Sequence, residues 1–136
     1  MLADLIFTTD LRMLVYSAAL CLVLWMPYTL VAMGARGVGG VAGYPTGRYD
    51  DLPESAQRAQ RAHANLVENL APFAVLVLVA HVSGSANETT ALGAQLFFWA
   101  RVVQAAVHIA GVPWLRTFAF LAGWVGNLLI FWQILY

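Results

Sequence analysis

The chain is 136 residues long, 61% hydrophobic and 10% charged, with a mean hydropathy of +0.72. A water-soluble domain carries about a quarter charged residues, so this apolar excess needs lipid as its solvent. Seven acids balance seven basic residues, all of them arginine, and this even balance argues against nucleic acid as a partner, which needs clustered positive charge.

Met13 to Met33 is an uncharged apolar run. At about 1.5 Å per residue it is long enough to cross a hydrocarbon core of about 30 Å. Asp10 stands before it as an N-cap, and Pro27 inside it predicts a kink. The run has no basic start and no small-residue cleavage site, so it reads as a permanent span and not as a signal peptide. The single cysteine, Cys21, lies within it, which leaves no disulfide to form inside one chain. Gly34 to Asp51 holds six glycines and Pro45, a composition that reads as an irregular loop.

Asp51-Leu52-Pro53-Glu54 then predicts a helix start, with Asp51 as N-cap. This second helix begins in water, spans about 62–82 and stops at Gly84. Asn87 or Thr89 caps a third span of about 90–110, ended by Gly111. Pro113 opens a fourth of about 114–135. The link Gly111-Val112-Pro113 is so short that the last two helices must be antiparallel neighbours. The expected fold is all-α: one integral-membrane four-helix bundle, antiparallel and up-down, with a cytoplasmic loop over 34–57. Arg36, Arg48, Arg58, Arg61 and Arg116 flank the first and third links, whereas the link 83–89 has no arginine. The positive-inside rule therefore expects both termini outside the cytoplasm.

Polar residues inside apolar helices are the most informative feature, because a charge at mid-bilayer costs roughly 2.5–3.5 kcal/mol even on a lenient scale. Arg58, Arg61, Asn65 and Glu68 recur at spacings of three and four, which sets them on one helix face; Arg101, Gln104 and His108 do the same. Depths of about 10 and 15 Å from the cytoplasmic ends, a gap that two long side chains can close, predict a structural ion pair between Glu68 and Arg101. Arg36, Arg61, Asn65, His108 and Arg116 should converge near the cytoplasmic surface, where several guanidinium groups suit a carboxylate-bearing ligand or, on the blander reading, lipid phosphates. His63 reads as interfacial and His81 as the outer end of its helix, neither as a metal ligand. Gly123 and Gly126 allow close helix approach.

The run RAQRAHANLVENLAPF, Arg58 to Phe73, resembles the second-helix signature of the MAPEG family, the membrane-associated proteins in eicosanoid and glutathione metabolism. FFWARVVQAAVHIAGVPWLRT, Phe97 to Thr117, resembles the junction of the third and fourth helices in bacterial members. The family includes microsomal glutathione transferases, prostaglandin E synthase, leukotriene C synthase and a lipoxygenase-activating protein that binds lipid without catalysis.

The resemblance implies a homotrimer with glutathione as co-substrate in a cytoplasm-facing cleft between subunits. It places Arg36, Arg61, Asn65, Glu68, His108 and Arg116 around glutathione, with Arg116 stabilising the thiolate and Thr117 as a candidate hydroxyl. It departs from the family where His108 and Phe120 replace tyrosines seen in glutathione-using members, where Gln104 replaces a frequent histidine, and where Ala64 replaces an arginine of some mammalian members. The implied function is a glutathione-dependent transferase or peroxidase acting on small hydrophobic electrophiles, in a bacterial inner membrane. The alternative is a non-catalytic member that binds a lipid or an anionic metabolite.

Overall fold

The computed structural model describes residues 7–43 and 51–136. Five helices follow one another: α1 Thr9–Leu24, α2 Met26–Ala42, α3 Glu54–Val82, α4 Glu88–Ala110 and α5 Pro113–Leu135. α1 and α2 are halves of one rod interrupted at Trp25, and Pro27 falls in the first turn of α2, where its missing N–H has no helical partner to lose. The chain is thus an all-helical bundle of four rods that run up and down. Among the described residues no strand occurs.

Local chemistry explains the helix ends. Gly84 and Gly111 adopt φ of +73° and +83°, the left-handed conformation that terminates α3 and α4 at little steric cost. Asn87 caps α4: its Oδ1 accepts from the Thr89 and Thr90 N–H groups, while Thr90 Oγ1 accepts from the Asn87 N–H at 2.8 Å.

Three details differ from the sequence expectation. The cap of α1 is Thr8, whose Oγ1 accepts from the Leu11 N–H at 3.5 Å; Asp10 lies inside the first turn and is buried. The glycine-rich stretch stays helical through Arg36 and on to Ala42, with the helical conformation lost only at Gly37, φ +76°. Glycines weaken a helix by about 1 kcal/mol each without forbidding it, so composition overstated this break. Residues 44–50, the rest of the expected loop, lie outside the described residues. Finally, Pro53 occupies the N-cap position of α3 without a side-chain cap, and Asp51 binds the Arg36 guanidinium instead.

The core joins α3, α4 and α5. Phe73 stacks on Phe97 with ring centroids 3.9 Å apart, and Val77, Ala80, Ala94 and Ile130 close around them, all fully buried. α4 and α5 approach most closely at Gly93 and Gly126. A Cβ on Gly126 would lie 2.5 Å from the Gly93 carbonyl oxygen, and one on Gly93 would lie 2.6 Å from the Gly126 oxygen. Backbone-on-backbone contact of this kind is how helices associate where lipid removes the hydrophobic drive between them.

The outside of the bundle is apolar, with Leu22, Val75, Trp99, Leu115, Phe118 and Trp132 all exposed. Among the described residues three helical stretches are long and apolar enough to cross a bilayer: Thr9–Ala42, Glu54–Val82 and Pro113–Leu135. α4, flanked by these, turns Arg101, Gln104 and His108 inward. An apolar exterior around a polar interior is the arrangement lipid demands.

Gly126→Ala should push α4 and α5 apart and lower stability by about 1–3 kcal/mol, as overpacking does. The loss is read from unfolding of the detergent-solubilised protein, and Gly39→Ala, at a position with open space, should have a much smaller effect.

Candidate functional site

Arg101, Gln104 and His108 lie on the inward face of α4 and are buried. The Arg101 guanidinium is only 2% exposed. Its Nη1 donates to Asn65 Oδ1 of α3 at 2.9 Å and also to Gln104 Oε1. Gln104 Nε2 donates to the same Asn65 Oδ1 at 2.9 Å, so one amide oxygen organises both neighbours. The guanidinium carbon lies 5.2 Å from the ring centroids of both Phe97 and Phe120, a cation–π sandwich between α4 and α5. Among the described residues, Arg101 Nε and Nη2 have no hydrogen-bond partner.

The expected Glu68–Arg101 ion pair is not formed within the chain. Asn65 is the α3 side chain that reaches Arg101, and Glu68 is exposed. Three residues along a helix turn the side chain by about 60° from its starting face, which carries Glu68 off the face that meets α4.

Two clefts flank the turn from α4 to α5. The first is lined by Arg58, Arg61, His108, Gly111, Val112, Pro113 and Arg116. Three guanidinium groups and an imidazole meet there, and among the described residues no acidic side chain lines it. The second is lined by Asn65, Gln104, His108, Arg116, Thr117 and Phe120. His108 and Arg116 belong to both, so they form the wall between an anion-attracting vestibule and a recess of amides and an aromatic ring. The volumes are about 160 and about 200 Å³, each below the roughly 300 Å³ at which ligand pockets usually begin.

Arg58 holds the vestibule in shape. Its Nε donates to the Ile109 carbonyl at 2.9 Å, and its Nη1 lies 3.2 Å from Glu54 one turn earlier. Its guanidinium packs over Gly111, where a Cβ would come within 3.3 Å of Nε and Cζ. Gly111 is therefore needed twice, for its positive φ and for the room it leaves Arg58.

Of the residues singled out in the sequence, Arg61, Asn65, His108, Arg116 and Thr117 line these clefts. Arg36 does not. It joins the end of α2 to the start of α3 through Asp51, with Nε donating to Asp51 Oδ2 at 3.1 Å, and its guanidinium holds the Asp51 carboxyl below the usual carboxylate range. Glu68 lines neither cleft. Arg58 belongs to the site without having been given a role in it, although the spacing of three to Arg61 already set it on the same helix face.

The arrangement recurs in chain order as well as in space: Arg58, Arg61 and Asn65 on one rod, then Arg101, Gln104, His108 and Arg116 across a tight turn. The sequence model of the MAPEG family matches residues 14–136. The chain belongs to the MAPEG family. No curated protein and no solved structure matches it in the same comparisons. As a MAPEG protein with apolar rods it is an integral membrane protein of the eicosanoid and glutathione metabolism type.

Asn65→Leu removes the acceptor shared by Arg101 and Gln104 and should lower stability by about 1–3 kcal/mol, the cost of leaving buried donors unpaired. Asn65→Asp keeps the oxygen and adds a counter-charge, so its unfolding midpoint in detergent should match or exceed that of the unaltered protein.

Proposed function

We propose that this MAPEG protein is a glutathione-dependent transferase or peroxidase acting on small hydrophobic electrophiles. The observation that carries this reading is the vestibule of Arg58, Arg61 and Arg116 opening onto the recess of Asn65, Gln104, Thr117 and Phe120. Glutathione has two carboxylates, an amide backbone and one thiol. Guanidinium groups suit the carboxylates, with paired N–H donors that match carboxylate geometry. The amides of Asn65 and Gln104 suit the peptide.

Arg116 borders both spaces, so a thiol at the boundary would meet its positive charge. A nearby cation favours the anionic sulfur and lowers the thiol pKa. The thiolate then attacks the electrophile: a C–S bond forms, and the leaving group or the π electrons take up the displaced pair. Phe120 and the apolar exterior offer the electrophile an entry from the bilayer. Thr117 donates its own hydroxyl proton to the Pro113 carbonyl at 3.2 Å, so Arg116 rather than Thr117 has hydrogens to offer the sulfur.

Neither cleft encloses a tripeptide, which supports a homotrimer whose neighbouring subunit completes the site; Glu68 and Arg36 would then act from outside this cleft. The four rods are read as four spans, with both termini outside a bacterial inner membrane and the α4–α5 turn toward the cytoplasm, where glutathione resides. One observation favours a second reading, a non-catalytic binder of a lipid or anionic metabolite. The recess presents His108 and Phe120 where glutathione-using relatives carry tyrosines, so among the described residues no phenol lines it.

Glutathione added at millimolar concentration to the detergent-purified protein should raise its melting temperature and give the ultraviolet difference absorbance of a thiolate. In Arg116→Ala the thiolate signal should fall by at least about tenfold while the thermal shift is largely kept, since one tenfold step corresponds to about 1.4 kcal/mol. A shift without thiolate supports the second reading. Absence of both signals would overturn the transferase and glutathione binding alike.

A further inference from the structure

The rods of α1, α2 and α3 bring together three side chains that the basic clefts do not use. Tyr28 Oη lies 2.8 Å from His63 Nδ1, and Cys21 Sγ lies 3.8 Å from His63 Nε2, so both ring nitrogens are engaged. The Tyr28 and His63 rings also lean on each other, with centroids 5.8 Å apart. His63 is two residues beyond Arg61 on α3, a rotation of about 200°, and therefore points away from the vestibule. The cluster is a separate place in the molecule.

Its chemistry follows from the tautomers. When Nδ1–H donates to Tyr28 Oη, the lone pair of Nε2 faces the thiol and accepts its proton. That is the nucleophile–base–orienter order by which a weak nucleophile is activated, with the tyrosine oxygen fixing the imidazole. Cys21 is half-buried and the only cysteine in the chain, and Leu22 and Val23 beside it are 71% and 53% exposed on the apolar exterior. Cys21 is itself only partly buried, on a stretch long and apolar enough to cross a bilayer, so a reagent dissolved in the bilayer has a route to the thiol.

The geometry points to Cys21 as a covalent capture site for membrane-dissolved electrophiles with an activated alkene, with His63 as its base and Tyr28 as a positioning residue. In the addition, sulfur bonds to the β-carbon and the C=C π bond breaks. The thiol proton passes to His63 Nε2 and then returns to the α-carbon, so no other reactant is consumed. This capture is independent of glutathione, because none of the three residues lines the basic clefts.

The test uses the full chain in phosphatidylcholine vesicles with N-ethylmaleimide as the neutral alkene, followed by intact-protein mass spectrometry over time. The unaltered protein should gain one adduct per chain, and Cys21→Ser none. His63→Gln should slow the reaction by at least about tenfold, the lower side of what a positioned base contributes. Tyr28→Phe keeps the ring but loses the oxygen, and should slow it severalfold; it carries the test if His63→Gln does not fold. A permanently charged maleimide should react more slowly than the neutral one. Absence of an adduct on the unaltered protein, or equal rates in the folded His63 and Tyr28 variants and the unaltered protein, would overturn the assignment.

Discussion

A guanidinium ion in an apolar bundle has to be solvated by the bundle itself, and much of this structure is organised around that requirement. Arg101 is all but inaccessible, yet it keeps one face of hydrogen bonds to Asn65 and Gln104 and two aromatic faces from Phe97 and Phe120. Those four contacts come from α3, α4 and α5 together. The charge therefore dictates which faces of three helices meet. Phe97 has a second duty, since its other contact is the stack with Phe73 that centres the core. Moving Arg101 would disturb packing and polarity at the same place.

The second constraint is closeness. α4 and α5 are joined by a link too short to separate them, and the Gly93–Gly126 contact lets their backbones touch. With the two axes held at this spacing, Arg101 reaches the ring of Phe120, and His108 and Arg116 stand on opposite sides of one narrow turn. Gly111 then admits Arg58 from α3 over the top of that turn. Cations are thus crowded at a helix end by the same small residues that let the helices pack.

α3 serves both ends of this argument because its faces do different things. One face presents Arg58, Arg61 and Asn65 to the basic clefts. Another presents His63 to Tyr28 and Cys21 at the broken rod of α1 and α2. Cys21 and Tyr28, seven residues apart on that rod, meet the two ring nitrogens of the imidazole. A single long helix in this way keeps the arginine-lined vestibule and the Cys21–His63–Tyr28 cluster apart, with no partner shared between them.

Membrane residence, the number of rods and the antiparallel pairing of α4 with α5 were legible in the amino-acid order, because they rest on short-range quantities: hydropathy over about twenty residues, and glycine or proline at links too short to do anything else. The polar faces of α3 and α4 were legible for the same reason, since helical period alone aligns residues three and four apart. Which residues pair across helices was not. Depth along the axis made Glu68 the natural partner of Arg101, but pairing also depends on the angle at which each helix faces its neighbour, and that angle is set by how Gly93, Gly126, Phe73 and Phe97 pack. The helix that persists past Gly34 and Arg36, the service of Asp51 to Arg36 instead of to a helix end, and the meeting of Cys21, Tyr28 and His63 likewise depend on contacts between segments far apart in the chain. Periodicity fixes a direction within one helix; only packing in three dimensions fixes one helix against the next.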